Sequence, residues 1–99
     1  MKMNSYPALE LFAELLVPSP SGREERIAEV IRKKLADIGY EPITDPAGNI
    51  QVHLTGKYPQ APLFVFAAHM DEIGMAVTRI ETDGKLRVTC SGGLYPLKL

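Results

Sequence analysis

The chain has 99 residues, 45% of them hydrophobic and 23% charged, proportions of an ordinary folded domain that exclude a disordered or fibrous polymer. Eleven basic against twelve acidic side chains leave a formal charge of -1, which supplies no electrostatic footprint for nucleic acid or an anionic membrane surface. A single cysteine, Cys90, can close no internal disulfide and make no zinc knuckle, so a reducing cytoplasm is the expected location.

The first apolar run, "ALELFAELLV", is interrupted by Glu10 and Glu14, which would spoil a signal peptide, and no segment is long enough to span a bilayer. Pro7 followed by Leu9, Leu11, Phe12, Leu15 and Leu16 predicts a short amphipathic helix ending before Pro18. In "PSPSGREE", Ser21 and Glu24 have the spacing of a capping box, which predicts the start of a second helix there. Ile27, Ile31, Leu35 and Ile38 form its apolar face, and Gly39 is placed to end it. After the turn "DPAGN", Ile50, Val52 and Leu54 alternate with polar residues and predict a half-exposed strand. "LFVFAA", residues 63–68, lacks that alternation and predicts a central strand covered on both faces. Beyond it, "IGMAVTRI" and "KLRVTC" flank the Gly-containing turn "ETDG" and predict a hairpin. The expected class is α/β, with two helices packed on a mixed β-sheet.

His69, Asp71 and Glu72 stand where the apolar run ends. Residues two apart in extended chain point to one side, so His69 and Asp71 would project together. A ligating imidazole needs an acceptor on its other ring nitrogen, and Asp71 can be that acceptor while His69 binds a metal. In open α/β sheets ligands bind beyond the carboxyl ends of the strands, where this triplet falls. Taken alone, the triplet reads first as an ordinary solvated turn and only second as a ligand site. His53, on the polar side of its strand, reads as a surface residue.

"PSPSGREE", "DPAGN" and "AHMDEIG", in this order, resemble the N-terminal portion of the cocatalytic zinc aminopeptidases of the glutamyl aminopeptidase, endoglucanase-M and tetrahedral aminopeptidase family. The resemblance covers nearly the whole chain, and "AHMDEIG" after an apolar strand is its most specific part. It implies a hydrolase with two zinc ions, cobalt or manganese being the alternatives, that removes N-terminal residues from peptides. A metal-bridging water would be the nucleophile and a glutamate the general base. His69 matches the family's first zinc-ligand histidine, and Asp71 matches the catalytic aspartate that orients it. Glu72 and Gly74 belong to the motif without an assigned chemical role, the glycine being suited to a tight turn.

The resemblance further implies that residues 1–80 are the N-terminal part of a catalytic α/β/α domain and residues 81–99 the start of an inserted β-rich assembly domain. A homo-oligomer is expected, with peptide substrates and neither nucleic acid nor membrane as partners. The family's bridging aspartate, base glutamate, remaining carboxylate and second histidine have no counterpart here, and Glu81, Asp83 and Cys90 lack ligand spacing. Catalytic zinc needs about three protein ligands, so the chain by itself is expected to be inert. The closing "YPLKL" departs from the family's continuation, which leaves a natural short protein, a truncated or frameshifted gene product and a fragment of a longer chain as alternatives. The competing reading is a non-catalytic α/β binding or oligomerisation module that keeps the scaffold without its chemistry. Ser19, Ser21 and Cys90 lack the context of a nucleophile: neither serine sits in a G-x-S-x-G elbow, and no base neighbours the thiol in sequence.

Overall fold

A computed structural model describes residues 7–93, so the closing Tyr95 to Leu99 segment lies outside the described residues. Pro7 opens helix α1 (Pro7–Leu15), where its missing amide proton would have had no partner anyway. Helix α2 (Glu25–Asp37) carries the buried apolar residues of the described chain, Ile27 and Ala28. The two helices are tied by an ion pair between Lys34 and Glu14, but α1 buries no residue and leaves Leu9, Leu11 and Phe12 exposed.

Gly39 ends α2 as the sequence predicts. It adopts φ +89° while its amide donates to the Ala36 carbonyl, and the Tyr40 amide donates to the Leu35 carbonyl, both at 2.9 Å. These two bonds form a Schellman motif, which satisfies carbonyls that the helix end would otherwise orphan. Gly39→Ala is expected to cost about 1–2 kcal/mol, because a side chain disfavours that left-handed geometry. Reduced helix content by circular dichroism at matched temperature would register it.

The capping box does not form. Glu24 is the N-cap residue of α2 and makes no side-chain cap bond; its carboxylate accepts instead from the Gly22 amide at 2.5 Å. Ser21 is drawn elsewhere by a contact distant in sequence, described below.

Strands β1 (Ile43–Thr44) and β2 (Ile50–Gln51) pair antiparallel around "DPAGN". The Asp45 carboxylate organises that loop, accepting from the Ala47 amide, the Asn49 amide and the Asn49 side chain at 2.8–2.9 Å. These bonds, the Asn49 side chain foremost, hold its carboxyl below the ordinary aspartate value. The expected strand through Leu54 is thus only two residues long.

Strands β3 (Gly74–Ile80) and β4 (Leu86–Ser91) form the predicted hairpin. The turn closes with the Glu81 amide on the Lys85 carbonyl at 2.8 Å, and Glu81 also pairs with Arg79 and Arg87. Pairing shifts register at Thr78, an extra residue on β3 whose hydroxyl donates to the Arg87 carbonyl. Because of that bulge Met75, Val77, Ile80, Leu86 and Val88 share one face, and all five are exposed.

Two expectations are corrected. Residues 63–68 form no strand and pair with nothing among the described residues, and Leu63, Phe64, Val65 and Phe66 are 74–98% exposed. Nor do the described residues form a mixed sheet: the two antiparallel pairs are separate, and the one parallel pairing is an isolated bridge between Pro20, in the loop before α2, and Glu72, just before β3. An apolar strand is stable in the middle of a sheet only when neighbours satisfy its amides and carbonyls on both sides. None of the described residues does so. The Cα radius of gyration, 18.9 Å, against about 13 Å for a compact domain of this length, reflects the same lack of a closed core. The α/β class stands, with two helices and small antiparallel sheets.

Candidate metal centre

The loop before α2 and the segment after the apolar run lie fifty residues apart in sequence and meet side by side. The Glu72 amide donates to the Ser19 carbonyl at 2.9 Å, and the Ser19 amide donates to Glu72 Oε1 at 3.0 Å. The Ser91 hydroxyl, at the end of β4, donates to the Ser21 carbonyl at 3.3 Å. Gly74 lies against Pro20, whose Cβ would be 3.2 Å from a Cβ added at the glycine. Close approach, rather than the expected tight turn, is what Gly74 permits, since its φ lies outside the positive region. Glu72 likewise acquires a structural role as the partner of the Ser19 backbone.

Asp71 sits at this junction. Its Oδ2 accepts from the Ser21 hydroxyl at 2.5 Å, while its Oδ1 lies 3.2 Å from His69 Nδ1. His69 Nδ1 is also 2.9 Å from the Asp71 carbonyl oxygen. A carbonyl can only accept, so the contact is a hydrogen bond when Nδ1 carries a proton, and a neutral ring so placed keeps its lone pair on Nε2. The His69 side chain is 85% exposed and that of Asp71 38%, which leaves the ring open to solvent. The arrangement can present one nitrogen to solvent, with Nδ1 held by the main-chain carbonyl of Asp71 and by the carboxylate beside it.

The Asp71 carboxyl is held below the ordinary aspartate value of 3.8, first by the Ser21 hydroxyl and further by His69, against partial desolvation. A depressed folded value stabilises the junction at pH above the unfolded value, and that contribution disappears as pH falls through the folded one. Faster amide exchange at Glu72 on acidification below the ordinary aspartate value is therefore expected, with Ser21→Ala weakening the acid dependence.

Other candidates do not join the site. Among the described residues no group of three His, Cys, Asp or Glu side chains gathers where it could hold a metal ion. His53 and Cys90 are exposed, Ser19 is buried, and the Ser21 hydroxyl is committed to Asp71. Ser21 is the residue that sequence reasoning missed. Its spacing to Glu24 pointed to a cap, and only the fold brings it to Asp71.

The sequence profile of the M42 glutamyl aminopeptidases matches residues 48–99. The chain is 37% identical over 81 residues to glutamyl aminopeptidase of Lactococcus lactis subsp. cremoris, covering 82% of this chain and 23% of that protein. It is 40% identical over 80 residues to lysyl aminopeptidase of Pyrococcus furiosus, covering 80% and 22%. To succinyl-diaminopimelate desuccinylase of Hahella chejuensis it is 41% identical over 69 residues, covering 68% and 18%. It thus spans less than a quarter of the length of each of these relatives. With its profile matched over more than half of the sequence, the chain belongs to the M42 glutamyl aminopeptidase family.

Proposed function

We propose that this chain supplies one wall of the metal site of a dinuclear zinc aminopeptidase, with His69 as ligand through Nε2 and Asp71 as the group that orients it. The observation that carries the reading is the His69 ring itself, its Nδ1 2.9 Å from the Asp71 carbonyl and 3.2 Å from the Asp71 carboxylate and its side chain open to solvent. Two zinc ions, when bound, would polarise the scissile carbonyl and acidify a water. The residues present fit one ligand and its orienter and no more, so His69 and Asp71 hold and aim a nitrogen while the rest of the site comes from other sequence. The 99-residue chain alone should bind zinc weakly and hydrolyse nothing.

Peptides with a free N-terminus are the substrate class this reading entails, by analogy with the relatives named for glutamyl and lysyl residues. A cytoplasmic location is part of it, supported by the exposed free thiol of Cys90; among the described residues no helix is long and apolar enough to cross a membrane. The second reading, a non-catalytic oligomerisation module, is favoured by the exposed apolar face of the β3 and β4 hairpin. Joining this chain to the remainder of a family member separates the two. Zinc content and aminopeptidase turnover that both depend on His69 support the first, and assembly without either supports the second.

A further inference from the structure

We propose that Ser21 is a positioning residue of the metal site, its hydroxyl fixing the Asp71 carboxylate so that the opposite oxygen stays on His69 Nδ1. The proposal deepens the reading of His69 as a ligand and rests on it for its functional meaning.

The geometry is specific. A carboxylate on a short side chain can rotate about two bonds, and with one partner it would hold the ring in only part of its conformers. Here each oxygen has its own partner, Oδ2 at 2.5 Å from the Ser21 hydroxyl and Oδ1 at 3.2 Å from the ring nitrogen, which the Asp71 main-chain carbonyl also holds at 2.9 Å. A hydroxyl bonding to an ionised acceptor at that length is among the stronger hydrogen bonds proteins make. Ser21 is itself held, because its carbonyl accepts from the Ser91 hydroxyl and the preceding residues pair with Glu72. A chain of contacts therefore runs from the end of β4 through the loop before α2 to the imidazole. This gives the "SPSG" segment a task that helix capping does not, namely to set the donor atom of a residue about fifty positions away.

The test is nuclear magnetic resonance of the metal-free 99-residue chain carrying Phe64→Lys and Phe66→Lys to suppress self-association, reading the ring-nitrogen shifts of His69 at a pH where the ring is neutral, with His53→Gln to leave one histidine. Asp71→Ala defines the population of the Nδ1-protonated tautomer that remains without the carboxylate. Ser21→Ala is expected to move the population from the wild-type value toward that floor, and Ser21→Thr, which keeps the hydroxyl, to return it. An unchanged tautomer in Ser21→Ala overturns the proposal, as does an unchanged tautomer in Asp71→Ala. Should Ser21→Ala also lose the contact between Pro20 and Gly74, the threonine variant decides alone, retention supporting the role and loss overturning it. Because no metal or substrate enters, the measurement stands or fails separately from the peptidase reading, which is tested by turnover of the joined protein.

Discussion

His69→Ala, made in this chain joined to the remainder of a family member, is expected to remove zinc-dependent aminopeptidase activity and one of the two bound zinc ions. Residues that merely orient a ligand cost about 10- to 100-fold in metal affinity or activity when removed, so Asp71→Ala belongs in that range and loss of the ligand itself should exceed it. The expectation follows from Nε2 of His69 being the proposed ligating atom, which the substitution removes with the whole ring, and alanine offers no donor in its place. Metal analysis of the purified variants, with turnover of an aminoacyl reporter, checks both. Full activity in His69→Ala would sink the assignment. Equal losses in His69→Ala and His53→Ala would point to general destabilisation instead.

Self-association of the 99-residue chain at micromolar concentration is the second large effect. Four consecutive large apolar side chains, Leu63 to Phe66, are almost fully exposed, and the hairpin face of Met75, Val77, Ile80, Leu86 and Val88 is exposed as well. Burying one such side chain completely is worth about 1.5–3 kcal/mol, and soluble monomers rarely leave apolar surface of this extent uncovered. The run over 63–66 also has backbone that pairs with none of the described residues, which can template strand addition from a second copy. Sedimentation should show oligomers that bind a hydrophobic dye, and the double change Phe64→Lys with Phe66→Lys should reduce both signals. A stable, dye-silent monomer of the unchanged chain would contradict the expectation.

Local features were legible because their causes are local. The apolar spacing of Ile27, Ile31 and Leu35 specifies α2, Gly39 stops it by adopting a conformation other residues resist, and "ETDG" turns the hairpin. His69 and Asp71 were readable as neighbours for the same reason, lying two apart on the chain. Residues 63–68 show the limit. Their composition reports a preference for burial, but a strand becomes one only when other strands bond to it, and periodicity carries no record of whether those partners exist.

Ser21 marks the same boundary from the other side. Its spacing to Glu24 permits a capping box, yet in the fold α2 starts later, at Glu25 with Glu24 in the N-cap position, and the Ser21 hydroxyl donates to the Asp71 carboxylate. The amino-acid sequence by itself determined the helices, the hairpin and the family to which the chain belongs. Tertiary structure alone decided that Pro20 lies against Gly74, that Glu72 serves the backbone of Ser19, and that Ser21 holds Asp71. Those contacts span fifty residues or more, and no local propensity encodes a distance that only the closing of the intervening chain creates.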